Sequence, residues 1–413
     1  MSKEEISKET KNTLQNCWVM ATNHELDNEN RKLKEAITEI LDKTMTSTEK
    51  SEYWYKYYIE HKQYNDDLDI REEIAEVEEK IKESKEMELI ELFGGIGACT
   101  KALKNIGMNV DVVDYVEIDK YAVKSYNAIN GTNFEPQDIR EWDKDINVDL
   151  IMHGSPCQDY SISGLQMGGD EGSGTRSSLM YESIRIINKL KPKYVVWENV
   201  KNLLSKKHKH NFDNYINKLN ELGYNSYYQV LNAKDYGIPQ NRERVYTISI
   251  RKDIDNGNFK FPEKEGLKLR LKDILEDEVD KKYYLLECNL KLKENLPVIK
   301  EQTNCIQIGT LDIKGIDQIK RVYSPDGISP TLTTMNGGNR EPKIEENQET
   351  ITATNFNPRI RKLTPLECWR LMGFDDEDFY NAQSRGNSNS QLYKQARKLN
   401  CSKGFRKNIF KFI

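Results

Sequence analysis

Cysteine is scarce: the 413 residues hold seven, and no two stand at C-x-x-C spacing. An odd, scattered set argues against a disulfide framework and against a cysteine zinc cluster, so no metal is expected and a reducing cytoplasm is the natural setting. Histidine is scarcer still, with five residues. The nearest to any cysteine in a motif is His153, and His208 and His210 fall in a Lys-rich stretch, so a Cys–His hydrolase has little to build on. No apolar run approaches the roughly 18 residues of a membrane span. The first ten residues, MSKEEISKET, lack the apolar core of a secretory signal. Neither a membrane partner nor secretion is expected.

An excess of charge of one sign is also small overall, with 62 Lys+Arg against 67 Asp+Glu, a formal net of −5. The balance is uneven along the chain. Residues 1–86 carry 14 basic against 22 acidic side chains, and the rest carry 48 against 45. The acidity therefore belongs to an N-terminal extension, and the body keeps enough local basic charge to bind a polyanion.

Residues 1–86 read as a helical, acidic extension. Ile70, Ile74, Val77 and Ile81 share one helical face, and Tyr53, Trp54, Tyr55, Tyr57 and Tyr58 form an aromatic cluster just before them. A helical hairpin packing its own seam is the simpler account; an arm that binds a partner or DNA is the other. From Met87 the pattern changes to short apolar strands alternating with helices: 87–93, 110–117, 148–153, 194–198, 227–232 and 244–250 as strands, and 98–106, 120–130, 179–190 and 212–222 as helices. That alternation predicts a parallel sheet covered on both faces, with ligands at the carboxyl ends of the strands. The strand–helix pattern lapses over about 254–354, which reads as a smaller inserted domain with Lys314, Lys320, Arg321, Arg340 and Lys343. Helical periodicity returns at 363–372, where Thr364 is placed to cap a helix and Pro365 suits its first turn.

Chemistry gathers at the strand ends. FGGIG after the first strand is a tight turn that lets backbone approach a cofactor and is followed by the free N–H groups of a helix. It lacks the spacing of GxGxxG and the Lys-Ser/Thr of a phosphate loop. Glu117, at the end of the second strand, suits the two hydroxyls of a ribose. Gly154-Ser155-Pro156-Cys157-Gln158 follows the third strand, so Cys157 sits on the ligand side in a turn stiffened by proline. A cysteine there is a nucleophile if its thiolate is stabilised, and otherwise a small buried hydrophobe. The fourth strand ends at Glu198. Arg242 and Arg244, two apart on a strand, face one side and suit a phosphate or a carboxylate.

Together these residues resemble the C5-cytosine DNA methyltransferases. The resemblance runs in order from Met87 to about residue 395 through ELFGGIGA, Glu117-Ile118-Asp119, Gln137-Asp138-Ile139, GSPCQDYS, WENV, QNRER and RKLTPLECWRLMGF. It implies a Rossmann-like α/β fold of the S-adenosylmethionine-dependent methyltransferases, divided into a catalytic and cofactor-binding domain at 87–253, a target-recognition domain at 254–354, and a segment at 355–413 returning to the catalytic domain. It further implies a DNA (cytosine-5-)-methyltransferase with S-adenosyl-L-methionine as cofactor, acting as a monomer on double-stranded DNA; a companion restriction endonuclease is compatible with it. Cys157, Glu198, Arg242 and Arg244 would be catalytic. Phe93, Gly94, Gly95, Ile96, Gly97, Glu117, Ile118, Asp138, Ile139 and Pro156 would contact the cofactor, with Asp138 on the adenine amino group. Gln158, Ser161, Thr331 and Leu332 would contact DNA. The target base would be flipped out of the duplex.

One motif departs from the family. Where Gln-x-Gly-Asn-Ser and a run of valines is expected, the chain reads Gln395-Ala396 and then RKLNCSKGF. Gly386-Asn387-Ser388 lies on the wrong side of Gln395 to replace it. Residues 397–406 can be written in codons whose next reading frame gives Gly-Asn-Ser-Ile-Val-Val-Lys-Val-Leu, which points to a one-base frameshift after Ala396. Two rivals therefore stand beside the leading reading: a catalytically impaired DNA-binding relic, and an RNA cytosine-5 methyltransferase, the latter disfavoured by the size of the 254–354 region.

Overall fold

The computed structural model describes residues 86–161, 167–285, 290–292, 304–333, 340–346 and 359–396. The acidic extension up to residue 85, with its aromatic cluster and its Ile70–Ile81 face, lies outside them. So does the atypical tail after Ala396.

The described chain opens with β1 (Met87–Leu92), α1 (Ala98–Asn105), β2 (Val110–Val116), α2 (Lys120–Asn130), β3 (Leu150–His153) and α3 (Met180–Leu190). It continues through β4 (Tyr194–Val200), α4 (Lys209–Glu221), β5 (Tyr224–Asn232), β6 (Gln240–Asn241) and β7 (Glu243–Arg251). Local sequence sets these bounds. The Asp119 carboxylate caps α2 by accepting from Tyr121 N, and Gly131 ends it in the left-handed region at φ 66°.

β1, β3, β4, β7, β5 and β2 form one six-stranded sheet in the order β2-β1-β3-β4-β7-β5. β1, β3 and β4 run parallel, with Leu92 opposite His153 and His153 opposite Trp197. β7 departs from the expected parallel sheet: it lies antiparallel to both β4 and β5. Residues 233–242 between β5 and β7 hold only a 3-10 turn and β6, too little for a helical crossover, so the chain turns back on itself. The core of this layer includes Ile90, Leu92, Ile151, Trp197, Phe212, Tyr215 and Leu219, all essentially inaccessible. Each contributes about 1.5–3 kcal/mol of apolar burial.

The smaller sheet contains β8 (Leu290–Leu292), β9 (Gln307–Leu311), β10 (Arg321–Tyr323), β12 (Lys343–Glu346) and β13 (Arg359–Lys362), in the order β13-β12-β10-β9-β8. A four-residue helix, α5 (Asp317–Lys320), precedes β10. β11 (Ser329–Pro330) leaves this region to pair with β6, Ser329 opposite Gln240 and Pro330 opposite Asn241. The chain ends in α6 (Pro365–Arg370), α7 (Asp376–Ser384) and α8 (Asn389–Gln395). Thr364 caps α6 with Pro365 in its first turn, as the sequence predicts, and Glu367 completes a capping box. Glu367 also takes both terminal guanidinium nitrogens of buried Arg361 at 2.9 and 2.8 Å, tying β13 to α6.

Candidate active site

The turn after β1 is built under constraint. Phe93 holds φ at 53° although it has a side chain, a conformation kept only where the surroundings enforce it. Gly94 has no alternative, because a Cβ there would lie 2.5 Å from the Tyr115 ring. Gly95 N donates to Glu117 Oε2 at 3.1 Å, and Asp119 N donates to the other oxygen, Oε1, at 2.9 Å. Cys99 N at the start of α1 donates to buried Glu91 at 3.3 Å. Two of the N–H groups that the sequence offers to a ligand are thus already taken by carboxylates. The turn presents negative charge, which repels a phosphate and suits a nucleoside without one.

Beside it, Gln137 N donates to Glu117 O at 2.9 Å, which brings Asp138 and Ile139 to the same strand tips. Ile139 packs in the sheet core with Val116 and Phe93, while Ile118 is 65% exposed. The Asp138 carboxylate is gripped by Arg140 through Nε at 3.0 Å and by Arg140 N at 3.0 Å, and this guanidinium holds it below the usual carboxylate range. The lining is two carboxylates that accept hydrogen bonds, an exposed aliphatic face and a glycine turn. It fits ribose hydroxyls, an adenine ring and its amino group.

Cys157 lies one turn past β3 and is partly exposed. Tyr160 N and Ser161 N both donate to its carbonyl, at 3.1 and 2.9 Å, closing the turn. Gln158 Oε1 accepts from Arg176 at 3.0 Å, and Asp159 and Ser177 exchange two hydrogen bonds at 3.1 Å. Glu198 is buried at the end of β4, with Arg244 Nε 3.0 Å from its Oε1. Arg242 is fully enclosed. Burial pushes its guanidinium down to about 9, assisted by Arg244 and opposed by Glu198, Tyr246 and Cys157. The four side chains singled out from the sequence therefore feel one another. Arg244 pairs with the carboxylate and Arg242 lies within electrostatic reach of it, so Glu198 does not leave a net negative field beside the sulfur.

Thr331 and Leu332 separate. Thr331 Oγ1 donates to Asn241 O at 2.5 Å, next to Arg242, whereas Leu332 is only 2% exposed. Leu332 thus packs inside, and offers no face to a groove in this conformation. Sequence reasoning also did not pair Arg140 with Asp138, because an arginine two residues on reads equally well as a solvated side chain.

His153 belongs to the core. Its Nε2 lies 2.8 Å from the Tyr215 hydroxyl, its ring stacks on Trp197, and burial lowers its pKa to about 3. The folded protein keeps this ring neutral while the unfolded chain takes up a proton below about 6.5. Stability is therefore lost as pH falls from 6.5 toward 3, at about 1.4 kcal/mol per pH unit from this group. Urea unfolding of the wild type and His153→Gln at pH 7 and pH 5 should show a shallower loss in the variant. Parallel losses would contradict the assignment.

Among the described residues, no group of three His, Cys, Asp or Glu is placed to hold a metal, and no helix is long and apolar enough to cross a membrane.

Residues 87–397 match the family pattern of the C-5 cytosine-specific DNA methylases. The orphan methyltransferase M.SPBetaI of Bacillus phage SPbeta is 36% identical over 415 residues, covering 75% of this chain and 94% of that protein. The type II methyltransferase M.HhaI of Haemophilus parahaemolyticus is 34% identical over 324 residues, covering 77% of this chain and 92% of its own. The phage alignment is longer at similar coverage, so the phage protein carries segments without a counterpart here. Among solved structures, the S. pombe Dnmt2 methyltransferase is similar in fold, with a TM-score of 0.56 at 19% identity over 79% of this chain and 98% of that one. The family match stops at residue 397, one position past Ala396.

Proposed function

Because the chain belongs to the C-5 cytosine-specific DNA methylase family, we propose that it methylates carbon 5 of a cytosine flipped out of double-stranded DNA, through a covalent bond between Cys157 and carbon 6. The observation that carries this reading is the cluster of Cys157, Glu198, Arg242 and Arg244 at the carboxyl ends of β3 and β4.

Carbon 5 of cytosine is a weak nucleophile. The Cys157 sulfur attacks carbon 6, and the electron pair of the 5,6 double bond moves to carbon 5. Glu198 holds the N3 and amino edge of the ring and supplies the proton that N3 takes as the ring accepts charge. Arg244 keeps Glu198 aimed, and the surplus positive charge of Arg242 steadies the anionic sulfur as it attacks. When bound, S-adenosyl-L-methionine supplies an electrophilic methyl group on a sulfonium. Carbon 5 uses that electron pair to take the methyl group. Its proton then passes to water, the C–H pair re-forms the 5,6 double bond as the bond from carbon 6 to Cys157 breaks, N3 returns its proton to Glu198, and the thiolate is regenerated.

Phe93, the glycines 94, 95 and 97, Ile96, Glu117, Ile118, Asp138, Ile139 and Pro156 would hold that cofactor. Glu117 would take the ribose hydroxyls and Asp138 the adenine amino group, with Ile118 and Ile139 beside the ring. Asp138 must share or surrender Arg140 to do so. Asp138→Ala is expected to weaken cofactor binding roughly 10- to 100-fold, the value of one or two hydrogen bonds to a charged group. Arg140→Ala, which frees the carboxylate, is expected to leave binding unchanged or tighter. Calorimetry with S-adenosyl-L-homocysteine checks both; an unaffected Asp138→Ala would remove Asp138 from the site.

Gln158, Ser161 and Thr331 are assigned to the DNA face, with the smaller sheet as the recognition domain and Leu332 as its internal anchor. The protein is read as a monomer on DNA in the cytoplasm. The relatives carry both orphan and type II designations, so no companion endonuclease is built into the reading. Transfer of a labelled methyl group to duplex DNA, with single-stranded RNA as the second substrate, tests the assignment. Label in DNA cytosine supports it, label only in RNA moves the substrate class, and no label in either favours the impaired relic.

A further inference from the structure

We infer that the Ser155 hydroxyl is a positioning residue that locks the turn carrying Cys157 to the strand carrying Glu198; this rests on the reading of those two residues given above. The strand ladder leaves that joint unmade, and the Ser155 carbonyl adds only a long contact to β4 beyond it, accepting from Asn199 Nδ2 at 3.5 Å. The ladder between β3 and β4 stops at His153 opposite Trp197. β4 then continues to Val200 against β7, with Glu198 opposite Tyr246 and Val200 opposite Arg244. Among the described residues, no ladder pair of β3 with β4 past Trp197 holds the Cys157 turn to the strand end that bears Glu198.

Ser155 spans the gap. Trp197 Nε1 donates to Ser155 Oγ at 3.0 Å, and Asn199 Nδ2 approaches the same oxygen at 3.3 Å. The two donors flank Glu198 in sequence. Strand alternation sends their side chains to one face and the carboxylate to the other, where Arg244 meets it. A hydroxyl oxygen has two lone pairs, and both are engaged here. All three residues are closed off from water, at 3%, 1% and 1% exposure, so no solvent competes for these bonds.

The anchor itself is stiff. The Trp197 ring centroid lies 3.9 Å from that of Tyr215 and 5.9 Å from those of His153 and Phe212, which fixes the direction of its N–H. Asn199 is turned by a bond from Val200 N to its Oδ1 at 2.8 Å. Pro156 is the single residue between Ser155 and Cys157, and its fixed φ passes the restraint along the turn. The hydroxyl takes no part in bond making. It sets where the sulfur stands relative to the acid that must serve the same ring.

Misplacement of reacting groups by about 1 Å costs on the order of a hundredfold in rate without a matching loss of binding. Ser155→Ala is therefore expected to slow single-turnover adduct formation on DNA containing 5-fluorocytosine by roughly ten- to a hundredfold. Affinity for DNA and for S-adenosyl-L-homocysteine should stay within about twofold, since neither is held by this hydroxyl. Ser155→Thr restores the oxygen and should recover most of the rate. Trp197→Phe removes the indole N–H, keeps a ring in the stack, and should slow the step as Ser155→Ala does; it carries the test if Ser155→Ala fails to fold. Combined, the two substitutions should cost less than the product of their separate effects, because each breaks the same bond. A folded Ser155→Ala reacting at the wild-type rate would overturn this inference while leaving Cys157 chemistry intact. So would a Trp197→Phe protein at the wild-type rate. A wild-type protein that forms no adduct would overturn the parent reading, and this one with it.

Discussion

Cys157→Ser is expected to abolish methyl transfer, with a fall of more than about 10⁴-fold in turnover, as for removal of a covalent nucleophile elsewhere. A serine hydroxyl fits the same partly exposed turn, whose shape is set by Pro156 and by the bonds from Tyr160 N and Ser161 N to the carbonyl of residue 157. None of those depends on sulfur. Folding, cofactor affinity and DNA affinity should therefore be retained, and the loss should appear in the chemical step alone. An alcohol is too weakly acidic to present an anion at neutral pH without a base, and the groups that interact with Cys157 here include a guanidinium, which accepts no proton. Steady-state transfer of labelled methyl groups, with binding measured in parallel, checks the prediction. A serine enzyme within tenfold of the wild type would remove Cys157 from the reaction.

Glu198→Gln is the second large effect. The amide keeps the shape of the side chain but cannot protonate N3 or balance charge, so turnover is expected to fall about 10²- to 10³-fold. A stability cost accompanies it. Arg244 loses an ion pair at 3.0 Å between two largely buried side chains, and Arg242 loses the foremost of the charges that offset its burial. Removing one partner of such a buried ion pair costs about 3 kcal/mol, seen as a lower urea midpoint. The two effects separate by normalising rate to folded protein at a temperature well below both melting points. A full rate with lowered stability would make Glu198 structural only.

How much of this was legible beforehand depended on range. The start of α6 was legible in Thr364 and Pro365, because caps act over three or four residues, whereas the caps of α2 at Asp119 and Gly131 and the Glu367 half of the α6 capping box emerged only with the structure. The strands around Cys157 and Glu198 were readable as apolar runs. Their directions were not: β7 carries no local mark of its antiparallel course, which the short link 233–242 imposes. β13 likewise joins the smaller sheet although it lies past residue 354, since only its partner β12 decides where Arg359–Lys362 belongs. At the site, residue types and order pointed to Cys157, Glu198 and the two arginines. The sequence offered the glycine turn as a source of free N–H groups, and the fold spends two of them on Glu117 and Glu91. Ser155 with Trp197 and Asn199 are over forty residues apart in the chain, a distance at which nothing in a single sequence marks a hydrogen bond.

The central claim is a transient bond between one thiol and carbon 6 of an extruded cytosine. Duplex DNA in which 5-fluorocytosine replaces cytosine tests it most directly, because fluorine cannot leave carbon 5 as a proton does and the adduct cannot resolve. With S-adenosyl-L-methionine present, the account predicts a denaturant-resistant protein–DNA complex whose cross-linked peptide contains Cys157. Methyl transfer to cytosine with no such complex, or a complex joined through any other residue, would contradict it.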